Sequence, residues 1–350
     1  MRCHIVPPHM LERLARDTAD PVVSARARRT MALTSARYVE RLVPAPARSP
    51  EEDFVPKRTI HDAAGRETLP GRAVRKEGDA ATGDATVDRS YDWLGATFDF
   101  FEEIYRRDSI DGAGLPLVST VHYGDGYANA FWNGEQMVYG DGDGVVFSDF
   151  TGPLDVTGHE LVHGITQHTA NLEYYGQAGA LNESVSDVFG SLVKQWHLGQ
   201  TADQADWLIG VGLLADGVQG VALRSMKEPG TAYDDPRLGK DPQPGHMDDY
   251  VETYRDNGGV HINSGIPNRA FHLAAVEIGG NAWDKAGRVW YDVLTGGALA
   301  VDVDFAGFAA ETVRAAARRF GADAAETEAV RRGWTGVGVS IDAAAAEALR

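Results

Sequence analysis

The run His159-Glu160-Leu161-Val162-His163 combines residue types and a spacing that can do chemistry. On an α-helix, positions i and i+4 lie on one face about one turn apart, so the two imidazoles can bind one metal ion. The carboxylate of Glu160 can act beside that ion as a general base. The motif also occurs by chance on solvated helix faces, so a third ligand is needed to make it specific.

A third ligand is predicted at Glu183, twenty residues after His163 in the segment NESVSD. Zinc with two histidine ligands needs one more protein ligand and an open position for water. Asp187 follows Glu183 by about one helical turn and is suited to hold a ligand imidazole. The alternative, an ordinary acidic helix face, is much less favoured once the histidine pair is present.

The chemistry of such a site is peptide hydrolysis. A zinc ion lowers the pKa of a bound water to about 7, and Glu160 is predicted to take the proton as that water attacks a peptide carbonyl. The resulting oxyanion needs fixed donors besides the ion. We expect one from the segment DNGGVHINSG at 256–265, where His261 can donate, Asp256 can fix its tautomer and two glycines permit close approach.

Strand and helix signals fall in different halves of the chain. Apolar residues at helical spacing predict a helix at 88–107, followed by four strand-like runs, LVSTVHY, AFW, MVYG and VVFSDF. Asn133-Gly134, between the second and third runs, predicts a hairpin. From residue 155 onward the pattern predicts five helices. They are expected at 155–170, 180–197, 266–278, 284–295 and 304–319.

These motifs together resemble the thermolysin family of metalloendopeptidases, whose catalytic zinc is held by two histidines and a glutamate. The resemblance covers about residues 59–340, and its blocks follow the family's order. The blocks are NAFWNG (129–134), MVYGDGDG (137–144), DVTGHELVHGIT (155–166), ALNESVSDVFG (180–190), ALRSM (222–226) and DNGGVHINSGIPN (256–268). The resemblance implies an α+β fold. In that fold the zinc site lies in the cleft between a strand-rich N-terminal domain and a mainly α-helical C-terminal domain.

The resemblance also implies a role for each site residue. The metal ligands are His159, His163 and Glu183, and Asp187 holds a ligand imidazole in place. The catalytic groups are Glu160 as base and proton shuttle, His261 and Tyr174 at the oxyanion, and Asp256, which orients His261. Asn129 and the Ala130 backbone align the substrate, and Arg224 braces its carbonyl. The pocket for the side chain after the scissile bond is lined by Phe147, Phe150, Val156, Ile209 and Leu223.

The function expected from these residues is that of a neutral zinc endopeptidase with one catalytic ion, cutting proteins before bulky apolar residues. A non-catalytic zinc module that recruits partners would not need Glu160 or His261, and both are present. A zinc aminopeptidase would need an anionic anchor for the substrate α-amine, and no motif supplies one. Peptides with free and blocked N-termini would distinguish the two peptidase classes.

Residues 1–55 differ from the rest of the chain, because they are rich in arginine and end in a Pro-rich linker at 44–50. The segment CHIVPPHML resembles the pro-segment of the protealysin-like branch of the family. This implies a latent precursor in which residues 1–55 inhibit intramolecularly. The expected domains are then 1–55, 56–172 (including the HExxH helix) and 173–350.

One departure from the family concerns calcium. Members usually hold two calcium ions beside the zinc-site helices with a cluster of carboxylates. Asp155 and Asp206 stand at two of those positions, but Lys194, Leu208 and Val211 stand at others. The double site is therefore expected to be lost, with the Lys194 ammonium near Asp155 and Asp206 in place of the ions.

Composition limits the partners and the location. The net charge of −18 disfavours nucleic acid and anionic membranes. No apolar run approaches the roughly 18–20 residues of a membrane span. Cys3 is the only cysteine, so an intrachain disulfide is excluded. The chain is expected to be a monomer. The resemblance implies an extracellular enzyme although no signal peptide is visible, with the cytoplasm as the alternative.

Overall fold

The computed structural model describes residues 3–35 and 54–341. Within these ranges the chain forms two compact units. Unit 1 takes the described part of Met1–His168 with the segments Gly210–Leu223 and Tyr233–Lys240, and unit 2 takes the remainder. The Pro-rich linker expected at 44–50 lies outside the described residues, and the predicted domain boundaries at 55/56 and 172/173 stay predictions.

Unit 1 is built on a mixed six-stranded sheet. Its strands are β1 (Cys3–His4), β2 (Arg58–Asp62), β3 (Arg72–Lys76), β4 (Leu117–Val121), β5 (Ala130–Trp132) and β6 (Met137–Tyr139). They lie in the order β1-β5-β6-β4-β2-β3, in which β4 runs parallel to both β2 and β6 and the other pairs are antiparallel. The hairpin predicted at Asn133-Gly134 joins β5 to β6 and is confirmed. In it Gly134 takes a φ of +97°, which favours glycine.

Four helices complete the described part of unit 1: α1 (Pro8–Asp17), α2 (Pro21–Ser35), α3 (Ala85–Tyr105) and α4 (Leu154–Gln167). The helix predicted at 88–107 is α3, and it begins three residues earlier because Asp84 caps it. The Asp84 carboxylate accepts hydrogen bonds from the N–H groups of Thr86 and Val87. The helix predicted at 155–170 is α4.

The run VVFSDF at 145–150 was expected to be a strand, and this prediction is wrong. The Asp143 carboxylate accepts hydrogen bonds from the backbone N–H groups of Val145, Val146 and Phe147, at 2.7 to 3.0 Å. These bonds hold the chain in a turn, as aspartate side chains often do. Among the described residues, a single bridge between Phe147 and Leu214 remains of the expected pairing.

Unit 2 is mainly α-helical. Its helices are α5 (Gly176–Leu198), α6 (Asp256–Asn263), α7 (Gly265–Ile278), α8 (Ala286–Thr295), α9 (Phe305–Phe320) and α10 (Ala325–Thr335). Four of them match predicted helices, whereas α6 and α10 were not predicted. Large aromatic side chains fill the core between them, where the rings of Trp290 and Trp334 stack at 6.1 Å.

Short strands form two further hairpins. In unit 2, β7 (Leu208–Ile209) pairs with β8 (Arg224–Ser225), and in unit 1, β9 (Asp234–Asp235) pairs with β10 (Gly239–Lys240). Among the described residues, every helix is too short or too polar to cross a membrane.

Candidate metal centre and active site

Helix α4 carries the histidine pair, as the spacing predicted. Its middle is buried on all sides, so the imidazoles of His159 and His163 lie in the interior although they are polar. Their rings meet edge to face at 4.7 Å, and the two Nε2 atoms are 3.0 Å apart. The helix therefore aims two imidazole nitrogens at one point.

Glu183 on α5 completes a group of three ligands. One ligand atom from each of His159, His163 and Glu183 lies within 4.8 Å of the other two, and all three residues are buried. Two imidazole nitrogens and one carboxylate are the donor set of a catalytic zinc that keeps a position open for water. The residues present fit zinc, and this is the one such group in the chain from 3 to 35 and from 54 to 341.

The carboxylate of Glu160 is held beside the imidazoles by the sheet. Glu160 is fully buried, and its Oε2 accepts a hydrogen bond of 2.9 Å from the backbone N–H of Trp132 on β5. A buried carboxylate is costly unless it is hydrogen-bonded. Strand β5 therefore sets the direction of this side chain. The sequence contained no signal for the contact with Trp132.

Tyr174, Glu183 and His261 lie together in unit 2. The Tyr174 hydroxyl donates a short hydrogen bond to Glu183 Oε1 and lies 3.2 Å from His261 Nε2. The same Glu183 oxygen is 3.6 Å from His261 Nε2. Two groups that can donate to an oxygen, a phenol and an imidazole, thus stand next to a metal ligand.

Asp256 fixes His261 through two contacts. Its Oδ1 is 2.6 Å from His261 Nδ1, and its Oδ2 accepts a hydrogen bond of 2.9 Å from the His261 backbone N–H. Burial disfavours the charged imidazole, but the carboxylates of Asp256 and Glu183 outweigh burial and raise the pKa of His261 to about 9. The pairing of Asp256 with His261 is the one anticipated from the sequence.

The residues before His261 form a left-handed turn. All four residues of 256–259 have positive φ, from +50° to +83°. Glycine takes such angles freely and other residues rarely do. A Cβ on Gly258 would lie 2.9 Å from the backbone nitrogen of Gly176. The paired glycines thus allow the chain to turn tightly and to approach the start of α5.

Asp187 is enclosed by polar partners in unit 2. Arg224 donates to both of its carboxylate oxygens at 2.8 Å, and Asn268 Nδ2 donates to Oδ2 at 2.8 Å. All three side chains are almost fully buried. This paired geometry holds the Arg224 guanidinium in one orientation. The expectation that Asp187 supports a ligand imidazole stays a prediction.

The residues predicted to align the substrate contact the chain's own N-terminal segment. Asn129 Oδ1 accepts a hydrogen bond of 3.0 Å from Val6 N, and Ala130 O accepts one of 3.2 Å from Ile5 N. Strand β1 pairs antiparallel with β5 through Cys3 and Trp132. The edge of β5 is thus covered by residues 3–6.

The five residues predicted to line the apolar pocket are all buried. Phe147 and Phe150 contact each other with ring centroids 5.9 Å apart. Val156 lies in the first turn of α4, and Leu223 directly precedes β8. Ile209 on β7 pairs with Arg224 on β8. Their role towards a substrate stays a prediction.

Comparisons with known proteins agree with this geometry. The family model of the thermolysin metallopeptidase catalytic domain matches residues 52–167, and that of its alpha-helical domain matches residues 170–339. An extracellular metalloprotease of Pectobacterium carotovorum is 53% identical over 344 residues, which is 97% of each chain. Protease PrtS of a Photorhabdus strain is 54% identical over 286 residues, 81% of this chain and 76% of that one.

A solved structure is similar over nearly the whole chain. It is titled a precursor of protealysin, a metalloproteinase from Serratia proteamaculans. It has a TM-score of 0.88 and 53% identity, and the match covers 97% of this chain and all of that one. The resemblance drawn from the sequence blocks is confirmed. The chain belongs to the thermolysin family of zinc metallopeptidases, on its protealysin-like branch.

Proposed function

We propose that Glu160 is the general base of this peptidase and that His159, His163 and Glu183 hold its zinc ion. The observation that carries the proposal is the hydrogen bond from Trp132 N to Glu160 Oε2, which orients the carboxylate. Glu160 adjoins His159 on α4, and the His159 and His163 nitrogens converge 3.0 Å apart. A base must lie within reach of the proton that it takes, and this arrangement favours that role.

Zinc, when bound, supplies Lewis acidity to the scissile carbonyl and to the attacking water. Glu160 accepts a proton from that water as the C–O bond forms, and it returns a proton to the amide nitrogen as the C–N bond breaks. His261 Nε2 and the Tyr174 hydroxyl donate hydrogen bonds to the carbonyl oxygen as negative charge develops on it. Asp256 binds Nδ1 of the His261 ring, so that Nε2 of His261 faces the substrate.

The preferred substrate is a protein or peptide with a bulky apolar residue just after the scissile bond. The five buried apolar side chains described above support this preference, because an apolar lining favours an apolar group. Asp187 holds the Arg224 guanidinium in an orientation that suits a hydrogen bond to a substrate carbonyl. Asn129 and the backbone of Ala130 align the substrate as an added strand on β5.

Residues 1–55 act as an intramolecular inhibitor. Asn129 and Ala130 are already bonded to Val6 and Ile5, so a substrate strand competes with the pro-segment for the same edge. Further contacts hold the N-terminal segment on unit 1 at positions away from the edge of β5. His9 Nε2 lies 2.9 Å from the Tyr233 hydroxyl, and Thr30 Oγ1 accepts a hydrogen bond of 3.2 Å from Ala128 N.

Arginines of α2 add electrostatic contacts with the body of unit 1. Arg26 donates to Asp143 O at 3.1 Å and lies 3.6 Å from the Asp125 carboxylate. Arg29 donates to Glu67 Oε1 at 2.6 and 2.8 Å. These exposed pairs are weak individually, about 0 to 1 kcal/mol each. They support latency mainly because they orient the arginine-rich helix α2 on acidic residues of unit 1.

Lysine replaces calcium in this chain. Lys194 Nζ donates to Asp206 Oδ1 at 2.9 Å and to the Leu208 carbonyl at 2.6 Å. Asp155 Oδ1 accepts a hydrogen bond from Gly210 N at 3.1 Å, so part of its charge is satisfied by the backbone. Calcium needs six to eight oxygen ligands, and an ammonium among them opposes its binding.

The remaining proposals concern organisation and location. We place the pro-segment and linker at 1–55, the N-terminal peptidase domain at 56–172 and the helical domain at 173–350. The mature enzyme is monomeric and binds neither nucleic acid nor membranes. It acts outside the cell, in line with the names of relatives such as the extracellular metalloprotease of Pectobacterium carotovorum.

The test of the proposed function is Glu160→Gln. The amide keeps the shape of the side chain and can still accept the hydrogen bond from Trp132 N, but it cannot take a proton. We expect zinc content near one ion per chain and loss of turnover on an internally quenched peptide with blocked ends. Glu173→Gln is the matched control and should keep activity. Substantial peptidase activity in a zinc-replete Glu160→Gln enzyme would contradict the assignment.

A further inference from the structure

Gln243 is a buried residue of unit 2 with no role in the proposed mechanism. Its side chain is 5% exposed, and it lies in the irregular segment that follows β10. Its Nε2 donates to the carbonyl oxygen of His261 at 2.8 Å and to Ser264 Oγ at 3.1 Å. Within the described residues its Oε1 has no hydrogen-bond partner. The side chain therefore acts in this fold as a hydrogen-bond donor.

With Gln243 included, His261 is held at all four of its polar atoms. Its backbone N–H donates to Asp256 Oδ2, and its carbonyl accepts from Gln243 Nε2 at 2.8 Å and from Ser264 Oγ at the longer distance of 3.3 Å. In the ring, Nδ1 contacts Asp256 Oδ1 and Nε2 faces the Tyr174 hydroxyl. Asp256 and Gln243 thus hold opposite ends of one residue, on the N–H side and on the carbonyl side.

The backbone conformation around His261 explains why the hydrogen bond from Gln243 matters. Residues 256–259 are left-handed, so right-handed backbone begins at Val260 and continues through Ser264 into α7, which places His261 in its first turn. The N–H groups of a first turn have no partner within the helix, so they need acceptors from outside. Side chains that bind this turn therefore help to fix its orientation, and any change of orientation carries the imidazole with it.

A buried carboxylate in turn directs Gln243. Asp241 Oδ1 accepts a hydrogen bond of 3.1 Å from the backbone N–H of Gln243, and its Oδ2 accepts from Gly230 N and Ala232 N at 3.1 and 3.2 Å. These bonds tie the two ends of the segment 230–243 together. The loop is thereby folded so that Gln243 points to the His261 carbonyl.

We propose that Gln243 is a positioning residue for His261. By donating to the His261 carbonyl, it sets the orientation in which the His261 imidazole faces the developing oxyanion. This inference rests on the proposed oxyanion role of His261. It adds a residue that lies eighteen positions upstream and outside the catalytic motifs.

The experiment is a double-mutant cycle with Gln243→Met and His261→Ala, using full-length chains matured in the same way. Methionine keeps the length and shape of glutamine but cannot donate. We expect Gln243→Met to lower kcat about tenfold, the effect of losing one buried hydrogen bond, with KM changed less than twofold. In the His261→Ala background it should change kcat less than twofold, because the imidazole to be positioned is gone.

Two variants control for general damage to the fold. Gln195→Met removes another buried glutamine of unit 2, whose Nε2 donates to Ser191 Oγ within α5, and should leave kcat near the parent value. Gln243→His keeps an N–H donor and should recover most of the activity lost in Gln243→Met. If methionine at 243 prevents folding, the cycle is made with Gln243→Leu, and thermal midpoints are recorded for every variant.

The outcomes separate the two claims. Equal tenfold losses from Gln243→Met in both backgrounds, or a loss confined to KM, would overturn the positioning role while leaving His261 catalytic. An unchanged kcat in His261→Ala alone would instead contradict the oxyanion assignment in the proposed function. A kcat for Gln243→Met equal to that of Gln195→Met would also overturn the positioning role.

Discussion

Val6 and Asn129 hydrogen-bond to each other in both directions across 123 residues of chain. Val6 N donates to Asn129 Oδ1 at 3.0 Å, and Asn129 Nδ2 lies 3.4 Å from Val6 O. Such an exchange is how an amide side chain recognises an extended backbone. Asn129 is also the residue expected to align a substrate. The same amide cannot bind two strands at once, so in the proposed mechanism the pro-segment and the substrate compete for Asn129.

The first prediction concerns this contact. Val6→Pro removes the N–H that bonds to Asn129, and we expect the uncleaved precursor to become measurably active, roughly tenfold above the parent precursor. Activity on a quenched peptide is measured in the first minutes, and the fraction of intact chain is followed by mass spectrometry. Val22→Thr, at an exposed position on α2, is the control and should stay latent.

A chain that begins at Phe54 should be active as made. This starting point keeps Arg58, the first residue of β2. Its guanidinium packs on the Tyr91 ring and donates a hydrogen bond to Glu77. If full-length protein with residues 1–50 intact is already as active as the shortened chain, the inhibitory role of the pro-segment is refuted.

The second prediction concerns His261. His261→Ala should lower kcat by roughly 10²–10³, the usual effect of removing one oxyanion donor. KM should change much less, because the donor acts on charge that develops after binding. Steady-state kinetics on a blocked peptide provides the measurement. A change confined to KM would place His261 in substrate binding instead.

The third prediction separates the two metals. A zinc chelator should abolish activity, whereas a calcium-selective chelator should leave both the peptidase rate and the thermal midpoint nearly unchanged. The physical reason is that Lys194 already supplies a cation to Asp206 and Leu208 O. A fall of many degrees on calcium removal would mean that carboxylates, carbonyls and water still build a calcium site.

Lys194→Met extends this prediction. Methionine keeps the length of the side chain but leaves the Asp206 carboxylate without its ammonium partner. We expect a loss of about 1 kcal/mol, because Asp206 is partly exposed and water screens its charge. Lys227→Met is the matched control, since Lys227 is an exposed lysine of the same unit. Equal thermal midpoints for the two variants would show that Lys194 is not a substitute for calcium.

The fourth prediction is a pH dependence of stability at His122. Its Nδ1 lies 2.9 Å from Asp141 and its Nε2 lies 3.1 Å from Asp84. The hydrogen bond to Asp141 is the main reason that the pKa of His122 rises to about 9, from about 6.5 in the unfolded chain. The folded state therefore binds the proton more tightly, and its stabilisation is complete below pH 6.5 and lost as the pH rises towards 9.

His122→Asn tests this dependence, because asparagine tolerates the left-handed φ of +53° at this position. Thermal midpoints are compared in a Glu160→Gln background, which prevents autolysis. At pH 6 the parent should be more stable by about 1 kcal/mol, since both aspartates are half exposed. At pH 9.5 the difference should vanish. Asp141→Asn should reduce the pH dependence similarly, and a difference independent of pH would refute the assignment.

The metal centre was largely predictable because its geometry is local. The spacing of His159 and His163 needs only one helix to bring the imidazoles together, and α4 does so. The segment NESVSD added Glu183 as the third ligand, and this residue lies on the next helix. Four helices of unit 2 were also predictable, since apolar spacing along a helix reflects burial directly.

Other features depend on contacts between distant residues, which no local pattern encodes. The strand-like run at 145–150 becomes a turn because one carboxylate, that of Asp143, binds three backbone N–H groups. Strand β1 is only two residues long and was not anticipated, because its pairing depends on β5 far along the chain.

The sequence by itself determined the kind of chemistry, because ligand types and helical spacing are properties of short segments. Only the tertiary structure decided which groups hold those ligands and bases in place. The backbone N–H of Trp132 orients Glu160, and Gln243 donates to the backbone carbonyl of His261. No sequence pattern indicates either contact. Backbone donors and acceptors are the same in every residue, so their partners become visible only when the chain is folded.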